Sequence, residues 1–140
     1  MRTVTLMPIQ LTHKTKAPLV TQRLVEHIYQ STGHYVHYPA DFTVSVVTVN
    51  HLTMRQLNQH YRSINTTTDV LSFPYTASEG EIVLCYPQAL AQAHSKQVSA
   101  LAEVHWLLIH GLLHLLGYDH ETAKDAKIMR PLEQTILSHV

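Results

Sequence analysis

The sequence predicts an α+β fold: a small mixed β-sheet of about four strands packed with about five helices. Three observations predict it. Short β-branched runs, "FTVSVVTV" (Phe42–Val49) foremost, lie in the first two-thirds of the chain, and helical patterning dominates the last third. The most apolar segment, "SALAEVHWLLIHGLLHLLG" (Ser99–Gly117), is long enough for a buried helix. That same segment holds histidines at ordered spacing, which a buried helix accommodates only if the imidazoles have partners.

Taken in order, "VTLMPIQLT" (Val4–Thr12) reads as a strand, with Pro8 marking an edge or a bulge. "PLVTQRLVEHIYQST" (Pro18–Thr32) has helical apolar spacing at Leu19, Leu24, Val25, Ile28 and Tyr29. Pro18 suits its first turn, and Gly33 suits a left-handed position after its end. Phe42–Val49 reads as a central strand, after which Asn50 caps a helix over "HLTMRQLNQHY" with Leu52, Leu57 and Tyr61 turned inward. "DVLSFPY" (Asp69–Tyr75) and "EIVLCYP" (Glu81–Pro87) are two more strands, joined by a loop holding Ser78, Glu79 and Gly80. Pro87 opens a helix, the long apolar helix follows, and "TAKDAKIMRPLEQTILSHV" (Thr122–Val140) is a last helix that Pro131 should kink or split.

Bulk properties narrow the class. At 140 residues, 45% hydrophobic and 14% charged, the chain has the make-up of one globular domain spanning residues 1–140. Formal net charge is zero, so nothing pulls the whole molecule toward a polyanion. Its distribution is uneven: six Lys/Arg face two acids over residues 1–64, and four face eight over residues 65–140. A single cysteine, Cys85, excludes an internal disulfide and fits a reducing cytosol. "MRTVTLMPIQ" lacks the pattern of a signal peptide, and the run Val104–Leu116 is too short to span a bilayer. The expectation is a soluble cytoplasmic domain with no membrane partner.

The candidate chemistry lies in "IHGLLHLLGYDHET" (Ile109–Thr122). Residues four apart on a helix share a face, so His110 and His114 point the same way. Gly117 can take the left-handed conformation that ends the helix, and the chain returns through Tyr118 and Asp119 to present His120. H-x-x-x-H-x-x-G-x-x-H is the three-histidine zinc spacing of the metzincin proteases, a zincin-like metal site on a long buried helix. Three protein ligands with an open fourth position form a catalytic arrangement. A closed structural site would need Cys85 or Asp119 as a fourth ligand. Zincin proteases carry their general-base Glu directly after the first histidine; Gly111 stands there, which speaks against peptide hydrolysis by that route. Glycine in mid-helix costs about 1 kcal/mol relative to alanine, so Gly111 is read as leaving room at the metal for a bulky group. Asp119 is either a partner that orients a ligand imidazole or a turn residue. His105 falls off the ligand face, and Trp106 reads as packing.

At these residues the sequence resembles the YbeY family of bacterial endoribonucleases, or rRNA maturation factors. The family signature H-G-x-L-H-L-x-G-Y-D-H is matched at every fixed position by His110–His120. "LNQHYR" (Leu57–Arg62) and "TTDVLSFP" (Thr67–Pro74) match a second signature, and Gly80-Glu81-Ile82 stands where the family has G-D-I. The resemblance covers residues 45–137, with departures at "SIN" after Arg62 and at Met129-Arg130. It implies an endonuclease with one Zn2+ per chain, acting on single-stranded RNA and not DNA. The implied roles are 3′-end maturation of small-subunit (16S) ribosomal RNA and ribosome quality control, with ribosomal RNA and the small ribosomal subunit as partners. The family's zinc ligands fall on His110, His114 and His120 and its functional arginine on Arg62, so Arg62 and His114 are the candidate catalytic residues. Arg62 has the planar fork that clamps phosphate. Ser72 either holds substrate or satisfies backbone groups. Attack by water, whose pKa a three-histidine zinc lowers to about 7, and attack by the substrate's 2′-hydroxyl both remain open. So do two other classes: a different metal-dependent hydrolase, and a ribosome assembly factor with a structural zinc.

Overall fold

The computed structural model describes residues 7–140. Four strands, β1 (Ile9–His13), β2 (Thr43–Val49), β3 (Val70–Thr76) and β4 (Glu79–Cys85), form one mixed sheet in the order β1-β2-β4-β3. β2 runs parallel to both neighbours, with Val46 opposite Leu11 and Ile82, whereas β3 and β4 form an antiparallel hairpin with Ser72 opposite Ile82. Five helices complete the fold: α1 (Gln22–Gly33), α2 (His51–Arg62), α3 (Tyr86–Lys96), α4 (Ala100–Leu115) and α5 (Ala123–Ser138). The α+β expectation of four strands and five helices is met. Val4–Leu6 of the first expected strand fall outside the described residues; its remainder is an edge strand that begins just after Pro8, where a missing N–H costs no ladder bond.

Alternation along the strands divides the core. On β4, Ile82 and Leu84 face the main cluster with α1 and α4, while Val83 and Cys85 face a smaller cluster beneath Met54 and Leu57 of α2. Covering on both faces explains the unbroken apolar run of β4. α4 starts at Ser99, whose hydroxyl accepts the Ala102 N–H, and buries Val104, Leu107, Leu108, Ile109, Leu112 and Leu113. It is the central helix, in contact with β3, β4, α1, α3 and α5. Among the described residues no single helix is long and apolar enough to cross a membrane.

Several local expectations are corrected. α1 begins only at Gln22, capped by the Thr21 hydroxyl on Leu24 N–H, so Pro18 and Leu19 lie in a turn before it and Leu19 is exposed. Gly33 ends the helix and the residue after it, His34, is right-handed; no left-handed glycine is needed. On α2 the inward face is Met54 and Asn58 with part of Leu57, whereas Leu52 and Tyr61 are exposed. The polar Asn58 goes inside because its amide donates to the Thr66 carbonyl and ties down the loop after the helix. α5 is one helix with Pro131 within it, not a split pair. Residues 127, 130 and 131 are exposed, so Pro131 lies on the solvent side of the helix.

Candidate metal centre and the groove around it

His110 and His114 project from consecutive turns of α4 with their Nε2 atoms 3.0 Å apart. Leu116 and Gly117 then unwind the helix. Gly117 takes φ +93°, and the Gly117 and Tyr118 N–H groups donate to the His114 and Leu113 carbonyls. Tyr118 packs against the core, which brings the chain back over the helix end. His120 arrives there, and one ring nitrogen from each of the three histidines lies within 4.8 Å of the others. Asp119 is the turn residue of its two sequence readings: its Oδ1 accepts the His120 and Glu121 N–H groups.

The carboxylate that orients a ligand imidazole is Glu133, which sequence reasoning missed. It stands on α5, almost fully buried; its Oε1 is 2.5 Å from His110 Nδ1, and its Oε2 accepts the Trp106 indole N–H at 3.1 Å. A buried carboxylate is an acceptor only, so His110 donates its Nδ1–H to Glu133, and Nε2 keeps its lone pair toward His114 and His120. Trp106 therefore does more than pack. The heptad spacing Met129, Glu133, Ile136 placed Glu133 on the inward face of α5, but nothing local said that a histidine 23 residues earlier would meet it. Burial first, then the neighbouring His110 and His120, hold the His114 pKa below the usual histidine value, which keeps its ring neutral and able to donate a lone pair.

The donor set fits a metal. Tetrahedral zinc with about 2.1 Å ligand bonds sets its donors about 3.4 Å apart; here the His110 and His114 Nε2 atoms are 3.0 Å apart and all three donors lie within 4.8 Å of one another. Neither sequence candidate for a fourth ligand joins the group: Cys85 is buried in the cluster beneath α2, and Asp119 is engaged in its turn. The group thus opens on one side, into a groove of about 1100 Å³ lined by Arg62, Ser72, Lys96, Trp106, Arg130 and Glu133 among others. Arg62 is the last residue of α2 and is exposed; Ser63 after it turns left-handed at φ 57°. Lys96 bridges the buried Glu103 at 2.9 Å and lies 4.0 Å over the Trp106 ring, forming one wall.

Ser72 and Gly111 have joint structural roles. The Ser72 hydroxyl donates to the Gly111 carbonyl at 3.1 Å, fastening edge strand β3 to α4 where the groove passes. A Cβ on Gly111 would meet three side-chain atoms of Ile82 at 3.1 to 3.3 Å. The absent side chain serves close approach of helix to sheet, not room beside the metal, which corrects the sequence reading. His105, as expected, lies off the centre, and burial lowers its pKa.

Fold and site together define an α+β protein with a three-histidine group that could hold a metal ion, open to a groove. Comparison with known proteins identifies its relatives: the family model described as Endoribonuclease YbeY matches residues 9–140. The chain belongs to the YbeY endoribonuclease family. It is 42% identical over 113 residues to Endoribonuclease YbeY of Thermodesulfovibrio yellowstonii, covering 75% of this chain and 71% of that one. The protein of the same description from Desulforamulus reducens is 37% identical over 130 residues, covering 84% and 85%. Among solved structures, the solution structure of TM1509 from Thermotoga maritima superposes with a TM-score of 0.65 at 27% identity, over 93% of this chain and 87% of that one.

Glu133→Gln should weaken binding of a metal ion at the three histidines by about 10- to 100-fold, because a carboxamide cannot match the carboxylate as acceptor for the His110 N–H. Competition against a chromogenic chelator measures this; unchanged affinity would remove Glu133 from the centre.

Proposed function

We propose that the chain is a zinc-dependent, single-strand-specific endoribonuclease. It would work as one cytoplasmic domain in 3′-end maturation of 16S ribosomal RNA and in ribosome quality control on the small subunit. The observation that carries this reading is the convergence of His110, His114 and His120 on a groove that Arg62 lines, in a chain of an endoribonuclease family. One zinc held by those imidazoles would supply a Lewis acid and lower the pKa of water at its open position.

The chain's own residues do the rest. Glu133 holds His110 in one tautomer and one orientation, so the site is formed before substrate arrives. His114 stays neutral through burial and its histidine neighbours. Arg62 offers a planar fork to two oxygens of a phosphate, stabilising charge that grows there during reaction. Arg130 adds a second cation to the groove wall beside Arg62, while Lys96 is paired with Glu103. An unpaired strand can bend its backbone down to the histidines, where a stiff duplex cannot follow.

The test is cleavage of single-stranded against hairpin RNA by the purified zinc-loaded chain, with and without chelator. Cleavage should be confined to unpaired RNA and vanish with the metal. Arg62→Lys in the same assay should cut about 10- to 100-fold less while melting as the wild type does, since Arg62 is exposed and only the fork is lost. Chelator-resistant cleavage, or full activity in Arg62→Lys, would refute the corresponding role.

A further inference from the structure

Three aromatic rings stand in file on the far side of β3 from the histidines, and the chemistry above uses none of them. Tyr61 and Phe73 have centroids 5.0 Å apart, and Phe73 and Tyr75 stack 6.3 Å apart at an interplanar angle of 15°. Side chains alternate along a strand: Ser72 turns to α4, so Phe73 turns to the α2 side, where it packs on the smaller cluster. The register shift between Pro74 and Thr76 then carries Tyr75 out beyond that cluster. Tyr61 is 59% and Tyr75 61% exposed, far from the burial that large aromatics normally reach. Both rings are nonetheless positioned. The Tyr75 hydroxyl donates to Glu81 Oε1 at 2.9 Å, and the His60 ring meets Tyr61 edge-on at 4.6 Å.

The file adjoins the groove across the sheet edge. Tyr61 precedes Arg62 directly, and Val70, Leu71 and Ser72 of the same edge strand line the groove that Arg62 lines. Arg55, two helical turns before Arg62 and exposed, gives this side of α2 a second cation; the acids of the facing strand are Glu81, which accepts the Tyr75 hydroxyl, and the exposed Glu79 at the hairpin end. Preset π-faces in series beside cations are what unpaired bases on a phosphate backbone recognise. The geometry points to Tyr61, Phe73 and Tyr75 as a stacking platform for single-stranded RNA on one side of the cleaved phosphate. This inference rests on the endoribonuclease reading.

Fluorescence anisotropy with a labelled 2′-O-methyl oligoadenylate of about 12 nucleotides, which resists cleavage, tests it on the full zinc-loaded chain. Tyr61→Leu and Tyr75→Leu keep apolar bulk and lose the π-face, and each should bind about 5- to 10-fold more weakly. Tyr75→Phe keeps the ring and should stay within about twofold of wild type. Tyr75 is at the solvent end of the file, so its variants test the idea even if Tyr61→Leu folds poorly. Unmoved affinity in the leucine variants would overturn the platform. So would Tyr75→Phe binding as weakly as Tyr75→Leu, which would assign the effect to the hydroxyl on Glu81. Leucine variants that dissolve a dimer without changing RNA affinity would make the file a contact between copies instead. The two readings separate on the wild type: tight RNA binding without cleavage would sink the nuclease and spare the platform. Cleavage with unmoved leucine variants would do the reverse, and no RNA binding at all would overturn both.

Discussion

His114→Ala is expected to lose most of its zinc and nearly all RNA cleavage while remaining folded. In the proposed zinc site His114 would be the middle ligand, one helical turn from His110 and near His120, so its removal would leave two donors that no longer close around an ion. Disturbing an orienting partner alone typically costs 10- to 100-fold in affinity, and losing the ligand itself should cost more than about a hundredfold. A metal's contribution to charge stabilisation is several kcal/mol, so cleavage should drop by about a thousandfold. Stability should shift by less than about 1 kcal/mol, because α4 is held by Leu107, Leu108, Ile109, Leu112 and Leu113, each 1% exposed or less, whereas His114 is only partly buried. Elemental analysis and thermal melting on one preparation check both parts. Full zinc retention would refute the ligand assignment. Loss of fold together with the metal would instead favour a structural zinc.

Gly111→Glu should destabilise the fold by about 3–5 kcal/mol, a large part of the 5–15 kcal/mol that holds such a domain together. From the sequence alone the change looks benign: glutamate favours a helix over glycine by up to about 1 kcal/mol and creates H-E-x-x-H. The structure reverses that expectation. The new Cβ would press on Ile82, which is fully buried, and the side chain would carry its carboxylate into an apolar helix–sheet contact. A melting temperature lower by roughly 10–15 °C would be the signature. Unchanged melting would mean that the side chain escapes toward the groove. Only then could a loss of RNA cleavage be read as repulsion at the metal.

Glu133 and Gly111 mark the division between what was legible in the chain and what was not. Local chemistry announced itself. The helix spacing of His110 and His114, the turn at Gly117 and the return to His120 all lie within eleven residues, and helical geometry alone carries them to one point. β-branched strands, the Asn50 cap and the apolar length of α4 were equally readable, because each depends on neighbours a few residues away. The inward face of α2 was misjudged, since Asn58 is buried for the sake of a carbonyl eight residues on, while Tyr61 is drawn outward to Phe73 on another element. Long-range contacts decided the rest. Only the packing of α5 on α4 sets Glu133 against His110 and Trp106, only the approach of α4 to β4 requires Gly111 to lack a side chain, and only the sheet order makes β3 the edge past which Arg62 reaches the groove. Ligand spacing repeats with the helical turn and so is written into the sequence. The partners that orient those ligands come from elements whose mutual placement is a property of the whole packed core.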